Sequence, residues 1–317
     1  MERRTLGNSG LEVSPIALGA WAMGATVETW GHVDDRESIA AIHQALDCGI
    51  NLIDTAPIYG LGHSEEIVGK AMQGRRHEVV LATKCGLLFP ASKTEQPRRC
   101  LSRDGVIGEC HASLRRLRTN WIDLYQCHWP DPQTSIRETM EALTTLLHQQ
   151  KIRAIGLSNF SCEEIAAARE FGPVHALQPP FSMLRRRAAE DLLPFGVEHG
   201  MGVICYSPLV KGLLTGKFRA GDRFEGIRAR DPDFVGERFR SNLRLVESLR
   251  PIAAEYGKTL AQLVINWTAN YPGITAAIVG VKRPSQVLEN AGGVGWSLKT
   301  EDRRRIDQLL EGSDGDD

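Results

Sequence analysis

Four residues able to carry or shift a proton stand at or just beyond the ends of three short apolar runs. The stretch NLIDTAPIYG, residues 51–60, reads as a buried strand with Asp54 at its tip and Tyr59 in the loop beyond. A second run, VVLATK, ends on Lys84, and a third, WIDLYQCH, ends on His128. If these strands are neighbours, a carboxylate, a phenol, an ammonium and an imidazole converge. Reduction of a carbonyl needs a hydride on carbon and a proton on oxygen, and a phenol of ordinary pKa about 10 is a usable donor only when that value is lowered. Lys84, kept charged by Asp54, is expected to stabilise tyrosinate at Tyr59; a shift of about three units would be about 4 kcal/mol. His128 is placed to donate a hydrogen bond to the carbonyl and polarise it. Taken alone, a buried Asp–Lys pair reads as a structural ion pair and a lone histidine as a satisfied polar residue; the weight lies in the four together.

Such side chains need rigid elements to hold them, and the chain alternates regularly between two kinds. Arg4 to Val13 alternate around Gly7-Asn8-Ser9-Gly10, which predicts a small capping hairpin with a glycine-rich turn. The apolar runs IALGAW, NLIDT, VVLATK, IDLYQCH, IRAIGLS, HALQ, GVICYS and TAAIVG then number eight. Between them, helical spacing predicts helices over Asp35 to Cys48, about Ser64 to Met72, Ser102 to Leu117, Ser135 to Gln149, Cys162 to Glu170 and Ala188 to His199, with another starting at Pro284. Without a composition break to divide it, this alternation predicts an α/β fold: a (β/α)8 TIM barrel over residues 1–317 as one domain, with an N-terminal β-hairpin and extra C-terminal helical segments. An open sheet with appended helices is the alternative. In a barrel, functional groups gather at the carboxyl ends of strands, where Asp54, Lys84, His128, Ser158, Gln178, Tyr206 and Gly280 all fall. Cys85 and Cys127, out of phase with Lys84 and His128, should face the helices as packing residues.

At 317 residues and 42% hydrophobic, the chain can bury a large core. Its 38 basic and 39 acidic residues leave a formal charge of -1, so no overall field favours nucleic acid. The groups Arg115, Arg116 and Arg118, and Arg185 to Arg187, read as solvated helix faces. Seven cysteines scattered singly from Cys48 to Cys205, with no CxxC pair, argue against both a disulfide framework and a zinc site. MERRTLGNSGLEV has no apolar run of signal-peptide length and no later stretch approaches a membrane span, so a soluble, cytoplasmic protein without a membrane partner is expected.

With GLSNF at 156–160, YSPL at 206–209 and GLLTGK at 212–217 added to the Asp, Tyr, Lys and His set, the chain resembles the aldo-keto reductase family from its first residues nearly to its last. The resemblance implies an NADP-dependent oxidoreductase that reduces aldehydes or ketones to alcohols, or oxidises an alcohol or polyol, with Asp54, Tyr59, Lys84 and His128 as an unsubstituted catalytic tetrad. The family holds NADP(H) extended across the barrel mouth. By that match Ser158, Asn159 and Gln178 would hydrogen-bond the carboxamide and Tyr206 would stack on the nicotinamide. The segment carrying Ser207, Pro208, Leu209, Gly212 and Lys217 would wrap the pyrophosphate, its glycines permitting close backbone approach. In GVKRPSQVLEN, from Gly280, Pro284 suits a first helical position and the exposed amides make an anion site. There Lys282, Arg283 and Ser285 suit the 2′-phosphate, while Gln286, Glu289 and Asn290 match positions that contact adenine. These stretches look like the bacterial and plant-type sugar, inositol or pyridoxal-related branch. Gly60-Leu61-Gly62-His63-Ser64-Glu65 imitates a dinucleotide fingerprint, but Glu65 replaces its third glycine.

The substrate pocket expected from the loop ends is aromatic, with Trp21, Met23, Trp30, Leu87 and Trp129 around a small or medium carbonyl compound. Residues 217–240, rich in Gly, Arg, Asp and Phe, read either as a lid over the cofactor or as surface irregularity. Two rival functions stand beside this one. An NADP-binding regulatory subunit, as in relatives that pair with channels, is set against the complete tetrad. A metal-dependent barrel hydrolase needs clustered ligands, of which only His128 and Asp54 stand at strand ends, beside a Lys84 that would repel a cation.

Overall fold

Eight parallel strands close into a barrel in a computed structural model that describes residues 1–24, 31, 33–89 and 97–311. They are β1 (Ile16–Gly19), β2 (Leu52–Asp54), β3 (Val80–Cys85), β4 (Ile122–Cys127), β5 (Ile152–Ser158), β6 (Ala176–Gln178), β7 (Gly202–Tyr206) and β8 (Ala276–Gly280). Each pairs with its neighbour in the chain, and β8 pairs with β1 to complete the circle. The closed barrel is therefore the architecture, and the open sheet is not.

Period-two alternation decides what each strand points inward. Ala17, Leu52, Ala82, Leu124, Ala154, Ala176, Ile204 and Ala276 form the inner apolar layer, small residues outnumbering large ones so that the ring can close. The alternate positions, among them Ile53, Leu81, Tyr125, Ile155, Leu177 and Val203, pack beneath the helices. Cys85 and Cys127 belong to that outer set, and burial pushes the Cys85 thiol well up, with Cys127 adding to the effect. The hairpin of Arg4–Thr5 and Glu12–Val13 drives Leu6 and Val13 into the inner layer from the amino end. Its turn fits so closely that a Cβ on Gly7 would lie 2.2 Å from the Gly202 nitrogen.

The helices are α1 (Asp35–Asp47), α2 (His63–Ala71), α3 (Arg103–Leu117), α4 (Ile136–His148), α5 (Cys162–Arg169), α6 (Leu192–Glu198), α7 (Gly236–Glu255), α8 (Leu260–Ala269), α9 (Pro284–Ala291) and α10 (Thr300–Glu311). Side chains of Asp34, Ser102, Ser135 and Ser161 cap the first turns of α1, α3, α4 and α5 by accepting backbone N–H bonds. The helix expected over residues 188–199 is instead a 3-10 turn at Arg187–Ala189 followed by α6. The reason is local: Asp191 accepts from the Leu192 amide at 2.6 Å, and Pro194, which has no N–H, suits a first helical turn.

Residues 217–240 hold a helical turn at Gly226–Ala229, a 3-10 turn at Pro232–Phe234 and the start of α7. Phe224 meets Phe218, Phe234 and Phe239 edge-on at centroid distances of 5.0, 4.9 and 5.1 Å. Buried Asp231 pairs with Lys211 and Arg185, and buried Asp233 with Arg185 and Arg238. The segment thus has an apolar nucleus and ionic anchors of its own. Among the described residues no helix is long and apolar enough to cross a membrane.

Candidate active site

Two residues above the apolar layer, the inward side chains of β2, β3, β4 and β6 turn polar. Leu52 is followed on the same face by Asp54, Ala82 by Lys84, Leu124 by Gln126, Ala154 by Gly156, and Ala176 by Gln178. Lys84 is wholly buried and donates from Nζ to Asp54 Oδ1 at 2.6 Å, to the Thr55 carbonyl at 3.0 Å and to Tyr59 Oη at 3.4 Å. Asp54 Oδ2 accepts from the Gln178 amide at 2.9 Å and from the Gln126 amide at 3.4 Å. His128 meets the Tyr59 ring edge-on, with centroids 5.9 Å apart. Asp54, Tyr59, Lys84 and His128 therefore gather at one rim, Lys84 beneath the surface and the other three on the wall of a cavity.

The electrostatics follow from burial and from that ion pair. Burial alone would pull the Lys84 ammonium down, but the charges of Asp54 and Tyr59 and hydrogen bonds to both hold it above its ordinary value. Burial pushes His128 well below the usual imidazole range and the Lys84 charge lowers it further, so its ring is neutral at pH 7. Tyr59 departs from expectation. Burial raises the phenol, Lys84 pulls it down, Asp54 pushes it up, and the net direction is upward. Desolvation of an anion outweighs a cation whose field a neighbouring carboxylate offsets.

The cavity, about 840 Å3, runs from this rim across the barrel mouth. Ser158, Asn159, Gln178 and Tyr206 line it above β5, β6 and β7. Ser158 Oγ donates to the Gln178 carbonyl at 2.9 Å, and Tyr206 Oη donates to Asn159 Oδ1 at 2.9 Å, which fixes the Tyr206 ring. Farther along stand Ser207, Pro208, Leu209, Gly212, Lys217, Gly280, Lys282, Arg283, Gln286, Glu289 and Asn290. Ser207, Lys211 and Gly212 have positive φ, which folds this stretch into tight consecutive turns. Burial, and then Arg228 and Arg283, push the Lys217 ammonium below its ordinary value, as burial, Arg228, Lys217 and Arg283 do for Lys282. That end of the cavity is a cluster of mutually repelling cations.

At the substrate end Trp21, Leu87 and Trp129 line the wall, whereas Met23 is buried in the core at 2% exposure. The 3-10 turn Trp21–Gly24 sends Trp21 outward and Met23 inward. Trp30 lies outside the described residues. Ser285 is exposed and off the wall, because the face of α9 that meets the cavity repeats at Gln286, Glu289 and Asn290. Glu65, the residue that spoils the glycine fingerprint, is buried and holds Thr83 at 2.7 Å and Arg116 at 2.6 Å. The sequence reading passed over Ile58, Arg228 and Gln126. Nothing local marks the first two, but counting back two residues from His128 along β4 marks Gln126 as inward.

A closed parallel barrel whose carboxyl rim carries this polar layer and a long cavity ending in cations defines a barrel oxidoreductase. The chain belongs to the aldo-keto reductase family: the profile of the Aldo/keto reductase family matches residues 15–311. It is 42% identical to aldo-keto reductase YhdN of Bacillus subtilis (strain 168), covering 100% of this chain and 96% of that one. It is 34% identical to the NADH-specific methylglyoxal reductase of Escherichia coli (strain K12), covering 98% and 99%. A probable voltage-gated potassium channel subunit beta of Arabidopsis thaliana is also 34% identical, covering 93% and 91%. Among solved structures, the glycerol dehydrogenase AKR11B4 from Gluconobacter oxydans superposes with a TM-score of 0.91 at 37% identity, covering 98% and 95%. The family works on small molecules with a nicotinamide cofactor, and the hydrolase reading falls away.

Proposed function

We propose that this oxidoreductase reduces aldehydes or ketones to alcohols, or runs the reverse, with NADP(H) and with Tyr59 as the proton donor and acceptor. The observation that carries the reading is the Lys84 ammonium, buried between Asp54 at 2.6 Å and Tyr59 at 3.4 Å on the cavity rim. Tyr59, kept protonated by burial through neutral pH, hands its hydroxyl proton to the carbonyl oxygen as negative charge develops there. The phenolate left behind faces Lys84, which Asp54 keeps charged. His128, neutral, donates an N–H to the same oxygen and orients the carbonyl. When bound, the nicotinamide supplies the hydride.

The residues present fit such a dinucleotide. Lys217, Arg228, Lys282 and Arg283 crowd positive charge at one end of the cavity, and a Cβ built on Gly280 would meet no atom within 4 Å. Lys282 and Arg283 favour a 2′-phosphate, hence NADP over NAD, although one relative of this length is named for NADH. Trp21, Leu87 and Trp129 suit a small or medium carbonyl compound, and the seven free thiols suit a reducing, cytoplasmic setting. A regulatory subunit with little turnover is the second reading, favoured by the potassium channel relative.

The test is a panel of aldehydes, ketones and polyols followed by nicotinamide absorbance in both directions, with NADPH and NADH compared. Turnover with NADPH preferred is expected. Tight nucleotide binding with no turnover across the panel would replace the enzyme reading with the regulatory one.

A further inference from the structure

Gln126 is a fully buried amide inside a barrel whose layer below is alanine, leucine and isoleucine. An amide there costs free energy unless its hydrogen bonds are made. Gln126 is paired across the ladder with Lys84 on β3 and with Gly156 on β5. A Cβ on Gly156 would stand 2.8 Å from Gln126 Cγ and 3.2 Å from its Oε1, so β5 carries no side chain where this one lies.

Chemistry fixes how the amide points. An ionised carboxylate only accepts, so both amides beside Asp54 Oδ2 must turn their nitrogens toward it. Gln126 Nε2 donates to Asp54 Oδ2 at 3.4 Å, and Gln178 Nε2 donates to the same oxygen at 2.9 Å. Gln126 Oε1 then accepts from Gln178 Nε2 at 3.3 Å. Both N–H bonds of the Gln178 amide are committed, one to Asp54 and one to Gln126. What Gln178 presents to the cavity is its oxygen, which can only accept.

We propose that Gln126 is a positioning residue that locks Gln178 with its amide oxygen toward the cavity, so that the site reads the amino group of the cofactor's carboxamide. The assignment rests on the nicotinamide reading given above. Gln126 also ties that recognition to the proton relay, because Asp54 shares one carboxylate between the two amides and Lys84.

The experiment is equilibrium binding, without substrate, of NADP and of its 3-acetylpyridine analogue, in which a methyl group replaces the carboxamide nitrogen. The wild-type protein should bind NADP more tightly than the analogue. In Gln126→Met, Gln178 regains a free N–H that can meet the acetyl oxygen, and the preference should shrink by about threefold to tenfold, the worth of one hydrogen bond. Gln126→Glu, which beside Asp54 must keep its proton to donate there, still accepts from Gln178 and should keep the preference. If Gln126→Met does not fold, Gln126→Leu, with the residue already found at 124, carries the same comparison. A preference unchanged in the apolar variant, or no preference in the wild type, overturns the proposal while leaving the cofactor reading intact. Failure of the wild type to bind either nucleotide sinks the cofactor reading, and this proposal with it.

Discussion

Lys84→Met isolates the step on which the proposed mechanism turns. At 3.4 Å from Tyr59 Oη and an effective dielectric constant of about 20, the ammonium attracts a phenolate by about 5 kcal/mol, or roughly 3.5 pKa units. Asp54 pushes the phenol the other way, so losing the lysine alone leaves the carboxylate unopposed. In that mechanism alcohol oxidation needs the phenolate as base. Because burial already raises Tyr59, wild-type oxidation should climb with pH toward and beyond 10, while reduction should stay level across neutral pH. In Lys84→Met the rising limb should move out of the measurable range, and oxidation at pH 9 should fall by about three orders of magnitude. An unpaired buried carboxylate also costs about 3–5 kcal/mol of stability, so the companion Asp54→Asn/Lys84→Met, which removes both charges, separates tuning from damage. The assay is kcat/KM for alcohol oxidation across pH 6 to 10.5 by NADPH absorbance, with melting followed in parallel. A Lys84→Met protein that keeps the wild-type alkaline limb would refute the idea that this ammonium holds the phenolate.

Tyr59→Phe should leave NADPH binding by fluorescence titration nearly unchanged and cost about 10²–10⁴ in turnover; retained turnover removes Tyr59 from the proton-transfer role. Arg283→Ala should weaken NADPH binding about tenfold to a hundredfold and leave NADH binding nearly unchanged, since a charge-assisted bond to phosphate is at stake; equal loss for both nucleotides places the guanidinium elsewhere. Glu109 accepts from the Gly86 amide at 2.5 Å, and burial pushes its carboxyl up to about 7, Glu65 adding to the push. Between the ordinary value and about 7 the folded protein holds a proton that the unfolded chain has released, so stability should fall as pH rises through that window, by at most about 3 kcal/mol. Urea melts at pH 5 and pH 8 should show Glu109→Gln lacking this decline, and a wild-type protein more stable at pH 8 would contradict it.

The parts of the fold legible in the sequence are those fixed by local pattern. Each barrel strand is a short apolar run, β2, β5, β6 and β7 ending on Asp54, Ser158, Gln178 and Tyr206, and Ser102, Ser135 and Ser161 announce helix starts because a hydroxyl there satisfies a free N–H. The rest depends on contacts between distant residues. Lys211 and Asp231 meet across a long segment, and the ribbon of Leu87–Leu88 with Arg98–Arg99 pairs residues with no shared motif. Met23 and Ser285 show how face assignment fails outside a strand, where a single 3-10 turn or one helical step decides whether a side chain meets the cavity. The direction of the Tyr59 shift is not legible for another reason: sequence places the lysine nearby but does not give the depth of burial, which dominates.

Charge is distributed unequally along the cavity, and the inequality separates two tasks. At the reacting rim Lys84 and Asp54 cancel as a buried pair, Tyr59 is protonated and His128 is neutral, so that end has little net field until a proton moves. At the other end Lys217, Arg228, Lys282 and Arg283 gather where consecutive tight turns bring backbone amides close. In the proposed reading the far end would hold an anionic dinucleotide, while the neutral end would admit an uncharged carbonyl and respond strongly to the charge created during reaction. Moving a cation to the rim would strengthen ground-state binding of anionic substrates and weaken that response. In that reading the aromatic and aliphatic walls at Trp21, Ile58 and Trp129 would serve the same end, by limiting water where the new charge forms.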